Sequence, residues 1–264
     1  MRPIAERLEA AEAAINAATA FAYQQLNPDA VAAVETIAGG QAIYLGLGSP
    51  LSQAIGVGMN GPVSEDDLDR LEEFYRSRKS GVTISLCPFA DFALPGLLSA
   101  RGYRISHFEN TMARPLIQLA DPAGPPAAGV RVRRAAGGEA ELWTRLVLAG
   151  FEMDPTPETV ELFISLFHAP GDVLLALADG QPAGGGCMAV HQKVALFAGD
   201  STLPEFRGRG AQRALIGARL EMAAQAGCDL AMACTQPGSV SERNYERHGF
   251  RVVYTKALLV RQFG

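Results

Sequence analysis

Leu203-Pro-Glu-Phe-Arg-Gly-Arg-Gly-Ala-Gln-Arg213 joins a stretch of strand character, Val194 to Leu203, to a helical one, Gly210 to Ala226. In the helix, apolar Leu215, Ile216, Leu220 and Ala223 recur at helical spacing. Gly208 and Gly210 permit tight turning and close backbone approach, and successive N–H groups are left free at the helix start. Those donors and the helix dipole form a cradle for phosphate, to which Arg207 and Arg209 add positive charge for a strongly anionic ligand. Two other phosphate loops fail on the same letters. A Walker loop needs Lys-Ser/Thr after its last glycine, where Ala211-Gln212 stands, and a dinucleotide fingerprint needs a third glycine, where Arg213 stands.

Working outward, Val130 to Arg134 alternates apolar and basic residues like a half-buried strand. Glu139 to Gly150 and Pro157 to Phe167 have helical patterns, separated by a break at Asp154-Pro155. Asp172 to Ala178 reads as a strand closed by an Asp179-Gly180 hairpin turn, followed by strands Ala183 to His191 and Val194 to Leu203. Beyond the long helix come strand Leu230 to Thr235, helix Ser239 to His248, and two strands, Arg251 to Tyr254 and Ala257 to Val260. The order β-α-α-β-β-β-α-β-α-β-β predicts an α/β fold with a mixed sheet and helices on its faces.

Arg207-Gly-Arg-Gly-Ala211 resembles the acyl-CoA pyrophosphate loop of the GCN5-related N-acetyltransferase (GNAT) superfamily, Gln/Arg-x-x-Gly-x-Gly/Ala. Arg207 and Gly210 match, while Gln212 replaces the final small residue. A second family signature, a helix ending in Tyr-x-x-x-Gly-Phe, is Tyr245-Glu-Arg-His-Gly-Phe250, with Ser241 at the small position four residues earlier and Gly238 where an asparagine often begins the helix. The resemblance covers roughly residues 130 to 262 and includes the strand order. It implies a central, mostly antiparallel sheet with helices on both faces and acetyl-CoA as cosubstrate. By that resemblance Thr202, Leu203, Arg207, Gly208, Arg209, Gly210, Ala211, Gln212 and Ser241 hold the cosubstrate, the splayed strand Val194 to Leu203 receives the pantetheine arm, and Tyr245 protonates the leaving thiolate.

Acetyl transfer from a thioester to an amine needs a deprotonated amine, aligned reactants, a polarised carbonyl and a protonated leaving group. Candidates for the base, or for binding a cationic acceptor, are Asp200 and Glu205 flanking the cofactor strand, and Glu152 and Asp154 in the loop between the first two helices. Glu152 and Asp154 each read first as a solvated loop charge or a helix cap, and only then as a base. No His-Glu-x-x-His or paired-cysteine pattern points to a metal. A non-catalytic acyl-CoA-binding or sensor protein would keep the Arg207 loop but need no proton donor. Tyr245 beside an intact loop favours catalysis on a primary amine by direct attack in a ternary complex.

The break Asp121-Pro-Ala-Gly-Pro-Pro-Ala-Ala-Gly129 reads as a linker between halves 1–120 and 130–264. The first half echoes the second. Gly81-Val-Thr-Ile-Ser-Leu-Cys-Pro88 resembles Gly227 to Pro237, and Leu97-Leu-Ser-Ala-Arg-Gly-Tyr-Arg104 resembles Asn244 to Arg251. Ser64-Glu-Asp-Asp67 opens a capped helix with an acidic first turn, where the second half has its arginine loop. Ala42 to Gly48 and Gln53 to Gly58 read as apolar, glycine-punctuated strands. This half is expected to be a degenerate GNAT-like domain that binds no acyl-CoA and shapes the acceptor cleft, with the Ala-rich helix Pro3 to Gln25 packed on it.

Composition narrows the function classes. Of 264 residues 48% are hydrophobic and 19% charged, and the net charge is −5, which argues against disorder and against general nucleic-acid binding. Cys87, Cys187, Cys228 and Cys234 have no metal-type spacing and suit reduced, buried thiols. Glu6, Glu9 and Glu12 stand where a signal peptide needs an apolar run, and no stretch is long enough to span a bilayer, so a cytoplasmic protein is expected.

Overall fold

A computed structural model of the chain describes residues 1–116 and 128–263. The elements run α1 (Arg2–Leu26), β1 (Ala33–Ile37), β2 (Gly40–Tyr44), β3 (Ala54–Ile55), α2 (Glu65–Arg76), β4 (Val82–Leu86), α3 (Leu94–Ala100) and β5 (Arg104–Pro115). Then follow β6 (Val130–Arg134), α4 (Ala140–Gly150), α5 (Pro157–His168), β7 (Asp172–Ala178), β8 (Gln181–His191), β9 (Val194–Thr202), α6 (Ala211–Gln225), β10 (Leu230–Thr235), α7 (Val240–Arg247) and β11 (Arg251–Arg261). The chain divides into two compact units, Met1–Thr111 with Val252–Gly264, and Met112–Arg251. The expected linker at 121–129 lies, apart from Ala128 and Gly129, outside the described residues.

In the first unit, β1 and β2, then β2 and β3, pair antiparallel; β3 and β4 pair parallel, and β4 is antiparallel to β11. α1 packs on β1, β2 and β3 through a small-residue face that includes Ala5, Leu8, Ala13, Ala17 and Ala20. α2 starts where its sequence says it should. The Ser64 hydroxyl accepts from the Asp67 N–H at 3.1 Å, and the Asp67 carboxylate accepts from the Ser64 N–H at 3.0 Å. Leu68, Leu71, Phe74 and Tyr75 then place its apolar face in a core with Ile37, Val82, Ile84, Leu94 and Leu98.

In the second unit β6–β7, β7–β8 and β8–β9 are antiparallel, and β9–β10 is parallel. Each unit thus contains the same succession of antiparallel, antiparallel and parallel pairings, β1-β2-β3-β4 in one and β7-β8-β9-β10 in the other. Helices cover both faces of the second sheet, and two neighbouring glycines of β8 record this. A Cβ on Gly185 would meet Trp143 of α4 at 2.7 Å, whereas one on Gly186 would face Arg219 of α6. Adjacent strand residues point to opposite faces, so α4 and α6 lie on opposite sides. The order of elements from β6 to α7 is the one read from the sequence.

Two expectations about strands need correction. Arg251–Arg261 is one continuous strand rather than two, because the polar Thr255 and Lys256 find partners: the Thr255 hydroxyl donates to Asn110, and Lys256 is wholly buried against Glu12 at 2.6 Å. The apolar stretches Ala42–Gly48 and Gln53–Gly58 are strand only in part, since Gly46, Gly48, Gly56 and Gly58 all take positive φ and cut the strands to Gly40–Tyr44 and Ala54–Ile55. Among the described residues, no helix is long and apolar enough to cross a membrane.

Candidate functional site

The second unit's sheet opens where the arginine loop begins. Pairing of β10 with β9 runs from Leu230↔Val194 to Ala233↔Phe197 and stops, although β9 continues to Thr202. In the same stretch the other edge of β9 is bulged. Gly185 pairs with Ser201 and Cys187 with Ala198, so Gly186 alone opposes Gly199 and Asp200. Gly199 sits at φ +67°, a conformation that glycine takes without Cβ strain. The bulge twists β9 in the part of the strand that has also lost β10.

Beyond Leu203 a 3₁₀ turn, Pro204–Phe206, leads into Gly208 at φ +77° and Gly210 at φ +89°, the cap of α6. The helical ladder begins with the Ala214 N–H donating to the Gly210 carbonyl at 3.0 Å, so the N–H groups of Gly210 to Arg213 precede it. A cavity of about 700 Å³ lies over this turn. Of the residues singled out by sequence, Asp200, Thr202, Arg207, Gly208, Arg209, Gly210, Ala211, Gln212 and Ser241 line it. Leu203, Glu205, Glu152, Asp154 and Tyr245 do not. The Leu203 N–H is committed to the Ala183 carbonyl at 2.9 Å.

The wall opposite the turn comes from α7. Gln212, the departure from the loop consensus, donates to the Ser241 hydroxyl oxygen at 2.9 Å and accepts from the Asn244 amide at 2.6 Å; Asn244 accepts from Arg247 at 2.9 Å. Asn244, Arg213 and Arg247 also line the cavity, although no motif of the sequence marks them. Asn244 and Arg247 stand at successive three-residue helical steps from Ser241, and Arg213 adjoins Gln212, which are the local signals that point to them. With Arg207 and Arg209 they give the cavity four guanidinium groups and a helix N-terminus, a donor set that fits a multiply charged anion such as a diphosphate.

Neither loop arginine is idle. Arg207 pairs with Glu152 at 2.8 Å and donates to the Gly150 carbonyl at 3.1 Å, which ties the turn after α4 to the loop. Arg209 pairs with Asp179 of the β7–β8 hairpin and lies over the Phe206 ring at 5.4 Å. Glu205 and Asp154 are exposed, and the Asp154 backbone carbonyl accepts from the Thr159 hydroxyl.

Tyr245 is buried in the core with Phe197 and Phe250, and its hydroxyl donates to Asp200 Oδ2 at 2.5 Å. Burial first, and then the adjacent Asp200 charge, raise its phenol well above the usual range. The other Asp200 oxygen meets Arg219, a residue the sequence hides inside the apolar face of α6. Asp200 and Tyr245 are candidates from separate stretches of the sequence, and the fold joins them. His248, without a visible partner in sequence, is buried and its Nδ1–H donates to the Asn244 carbonyl at 2.8 Å. Burial foremost holds it below the usual histidine range, against that hydrogen bond and with help from the Arg213 and Arg114 charges. Burial also pushes the Cys187 thiol up to about 12.

Residues 140–250, which contain the bulge, the split and the arginine loop, match the model of the acetyltransferase (GNAT) family. This segment is a GNAT domain. The GNAT fold extends over much of the chain. A GCN5-related N-acetyltransferase from Kribbella flavida is 19% identical, with 94% of this chain and 96% of that one covered at a TM-score of 0.66. One from Sphaerobacter thermophilus is 20% identical over 74% of this chain and 66% of that one, at 0.61. A tandem GNAT protein from the clavulanic acid biosynthesis pathway is 15% identical over 75% of this chain and 69% of that one, at 0.57. At such identities the likeness is one of fold. No curated protein sequence matches.

Proposed function

We propose that the chain is an acetyl-CoA-dependent N-acetyltransferase acting on a primary amine by direct attack in a ternary complex. The supporting observation is one continuous path: the split between β9 and β10 after Phe197↔Ala233 and the glycine–arginine turn that caps α6 meet at the same cavity. Bound there, acetyl-CoA would supply an acetyl group already activated as a thioester.

In this reading the chain's residues bind and align more than they react. The N–H groups at the α6 start and the guanidinium groups of Arg207, Arg209, Arg213 and Arg247 hold the diphosphate, with Gly208 and Gly210 keeping Cβ atoms out of the way. Gln212 and Ser241 fix the wall that α7 contributes. Asp200, Ser201 and Thr202, beyond the last β9–β10 pair, line the arm of the ligand, and their backbone is placed to polarise its carbonyl. Asp200 is the carboxylate that opens into the cavity, and it takes the role of binding the amine or receiving its proton. Tyr245, bonded to Asp200 just behind the cavity wall, is assigned the proton for the departing thiolate: its O–H turns from that carboxylate toward the cavity, and Asp200 returns to it the proton taken from the amine. Glu152, paired with Arg207, holds the loop rather than acting as base. Among the described residues no cysteine lines the cavity, which favours direct attack over a covalent acyl-cysteine.

The first unit repeats the pairing succession of the GNAT unit but presents Glu65, Asp66 and Asp67 at its α2 start, carboxylates that complement the helix dipole and repel a diphosphate. It is proposed to be a degenerate GNAT-like domain, with no cosubstrate site of its own. A screen of primary amines with acetyl-CoA, read as released CoA thiol and acetylated product, tests the activity. Product mass raised by one acetyl group is the expected result, and acetyl-CoA binding without turnover on any amine class would leave a binding protein instead.

A further inference from the structure

Arg219 is out of place for its surroundings. It lies on the face of α6 that also carries Leu215, Ile216, Leu220 and Ala223, and it is completely buried. A guanidinium taken out of water is costly unless every donor is used. Here the donors are used across the β9 bulge. Nη1 reaches the Cys187 carbonyl of β8 at 3.0 Å, the Ala198 carbonyl of β9 at 3.4 Å and Asp200 Oδ2 at 3.1 Å. Nη2 pairs with Asp200 Oδ1, Nε donates to the Leu215 carbonyl at 3.1 Å, and the plane lies 4.7 Å over the Phe197 ring. Cys187 and Ala198 are the last register pair before the bulge, so the side chain stands in for ladder hydrogen bonds that the bulge breaks.

Stability alone is a poor reason for such a pair, since well-packed apolar residues usually replace a buried ion pair at no loss. Its location suggests another. One end of the pair, Asp200, opens into the cavity, and the same carboxylate accepts the Tyr245 proton at 2.5 Å. Three elements that share no sequence neighbourhood, β9, α6 and α7, therefore converge on one carboxylate.

We propose that Arg219 is a positioning residue of the transfer reaction: it holds the β9 bulge open and fixes the Asp200 carboxylate at the cavity, with the Tyr245 hydroxyl aligned on it. The inference rests on the acetyltransferase reading for its kinetic consequence but not for its geometry. Arg219→Lys keeps the charge and loses the fork; Arg219→Gln loses both, and the pair Arg219→Gln with Asp200→Asn leaves no unpaired buried charge.

The test uses the full chain with ¹³Cζ-labelled tyrosine, the Tyr245 signal being assigned through Tyr245→Phe. In Arg219→Gln the Tyr245 signal should acquire a titration between about pH 5 and pH 9 that is absent from the parent and from the double variant. On an accepted amine, Arg219→Gln should lower kcat at least about tenfold with acetyl-CoA affinity within about twofold, and Arg219→Lys should recover part of the rate. A folded Arg219→Gln with the parent's kcat and a flat Tyr245 signal would overturn the proposal, leaving a purely structural pair. If Arg219→Gln does not fold, Arg219→Lys decides: parental kcat and an unmoved Tyr245 signal overturn the proposal, and a loss of kcat at constant acetyl-CoA affinity upholds it. If no amine is acetylated, the acetyltransferase reading fails by itself, and the tyrosine signal still reports whether Arg219 sets the Asp200–Tyr245 contact.

Discussion

The Gln212 side chain spans from the first turn of α6 to the first turn of α7, donating to the Ser241 hydroxyl oxygen at 2.9 Å while the Asn244 amide donates back to it at 2.6 Å. A residue that departs from the loop consensus thereby becomes the clasp of the cavity wall. Gln212→Ala should destabilise the chain by about 1 kcal/mol, the net worth of an ordinary hydrogen bond, and should weaken acetyl-CoA binding because α7 is no longer held at the cavity. Thermal unfolding with and without acetyl-CoA separates the two effects. An unchanged ligand-induced shift would show that the clasp serves the fold alone.

Tyr245→Phe removes one proton and one hydrogen bond from a buried contact. Acetyl-CoA affinity should stay near the parent's, while turnover should fall by about 10²–10⁴-fold, the usual worth of a positioned acid. Leaving Asp200 with one donor fewer should also cost about 1–3 kcal/mol of stability. Equal turnover in the two proteins would make Tyr245 a packing residue.

Much of this site was legible as local sequence, and the remainder was not, for a common reason. The Ser64–Asp67 capping box and the Gly208–Gly210 turn are written within a few residues, because caps and positive-φ turns are local requirements. Pairings made across the fold leave no such trace. Arg207 and Glu152 read as a phosphate ligand and a candidate base, yet they bind each other. Arg219 stands in sequence among the apolar residues of α6 with no local partner, and only the fold brings Asp200 to it. Lys256 reads as a break between two strands, and only its long-range partner Glu12 explains why β11 runs through it.

The Lys256 cluster has its own consequence for pH. Glu9, Glu12 and Glu109 surround one ammonium, at 3.9, 2.6 and 3.9 Å. Burial, with the Glu12 and Glu9 charges adding to it and Lys256 opposing, pushes the Glu109 carboxyl up to about 7. Burial raises Glu9 as well, and its Oε2 has no hydrogen-bond partner among the described residues. A folded-state value above the unfolded one means that the folded chain binds the proton more tightly. This contribution to stability is fully present below about pH 4.5 and is lost as pH rises through about 7. Glu109→Gln should therefore gain stability relative to the parent as pH rises from about 5 to about 8, which denaturant titrations across that range would reveal. Parallel curves for parent and variant would contradict the raised carboxyl.

Binding of acetyl-CoA to the glycine–arginine turn tests the account most directly, by calorimetric titration of the full chain and of Gly210→Val. Gly210 sits at φ +89° as the cap of α6, where a β-branched residue is strained and its side chain fills the approach to the helix N-terminus. The parent should bind one acetyl-CoA per chain, with a stabilisation of about 2.7 kcal/mol at a hundredfold excess over Kd, and the folded variant should show no binding heat. No binding by the parent, two equivalent sites per chain, or an undiminished affinity in Gly210→Val would contradict it.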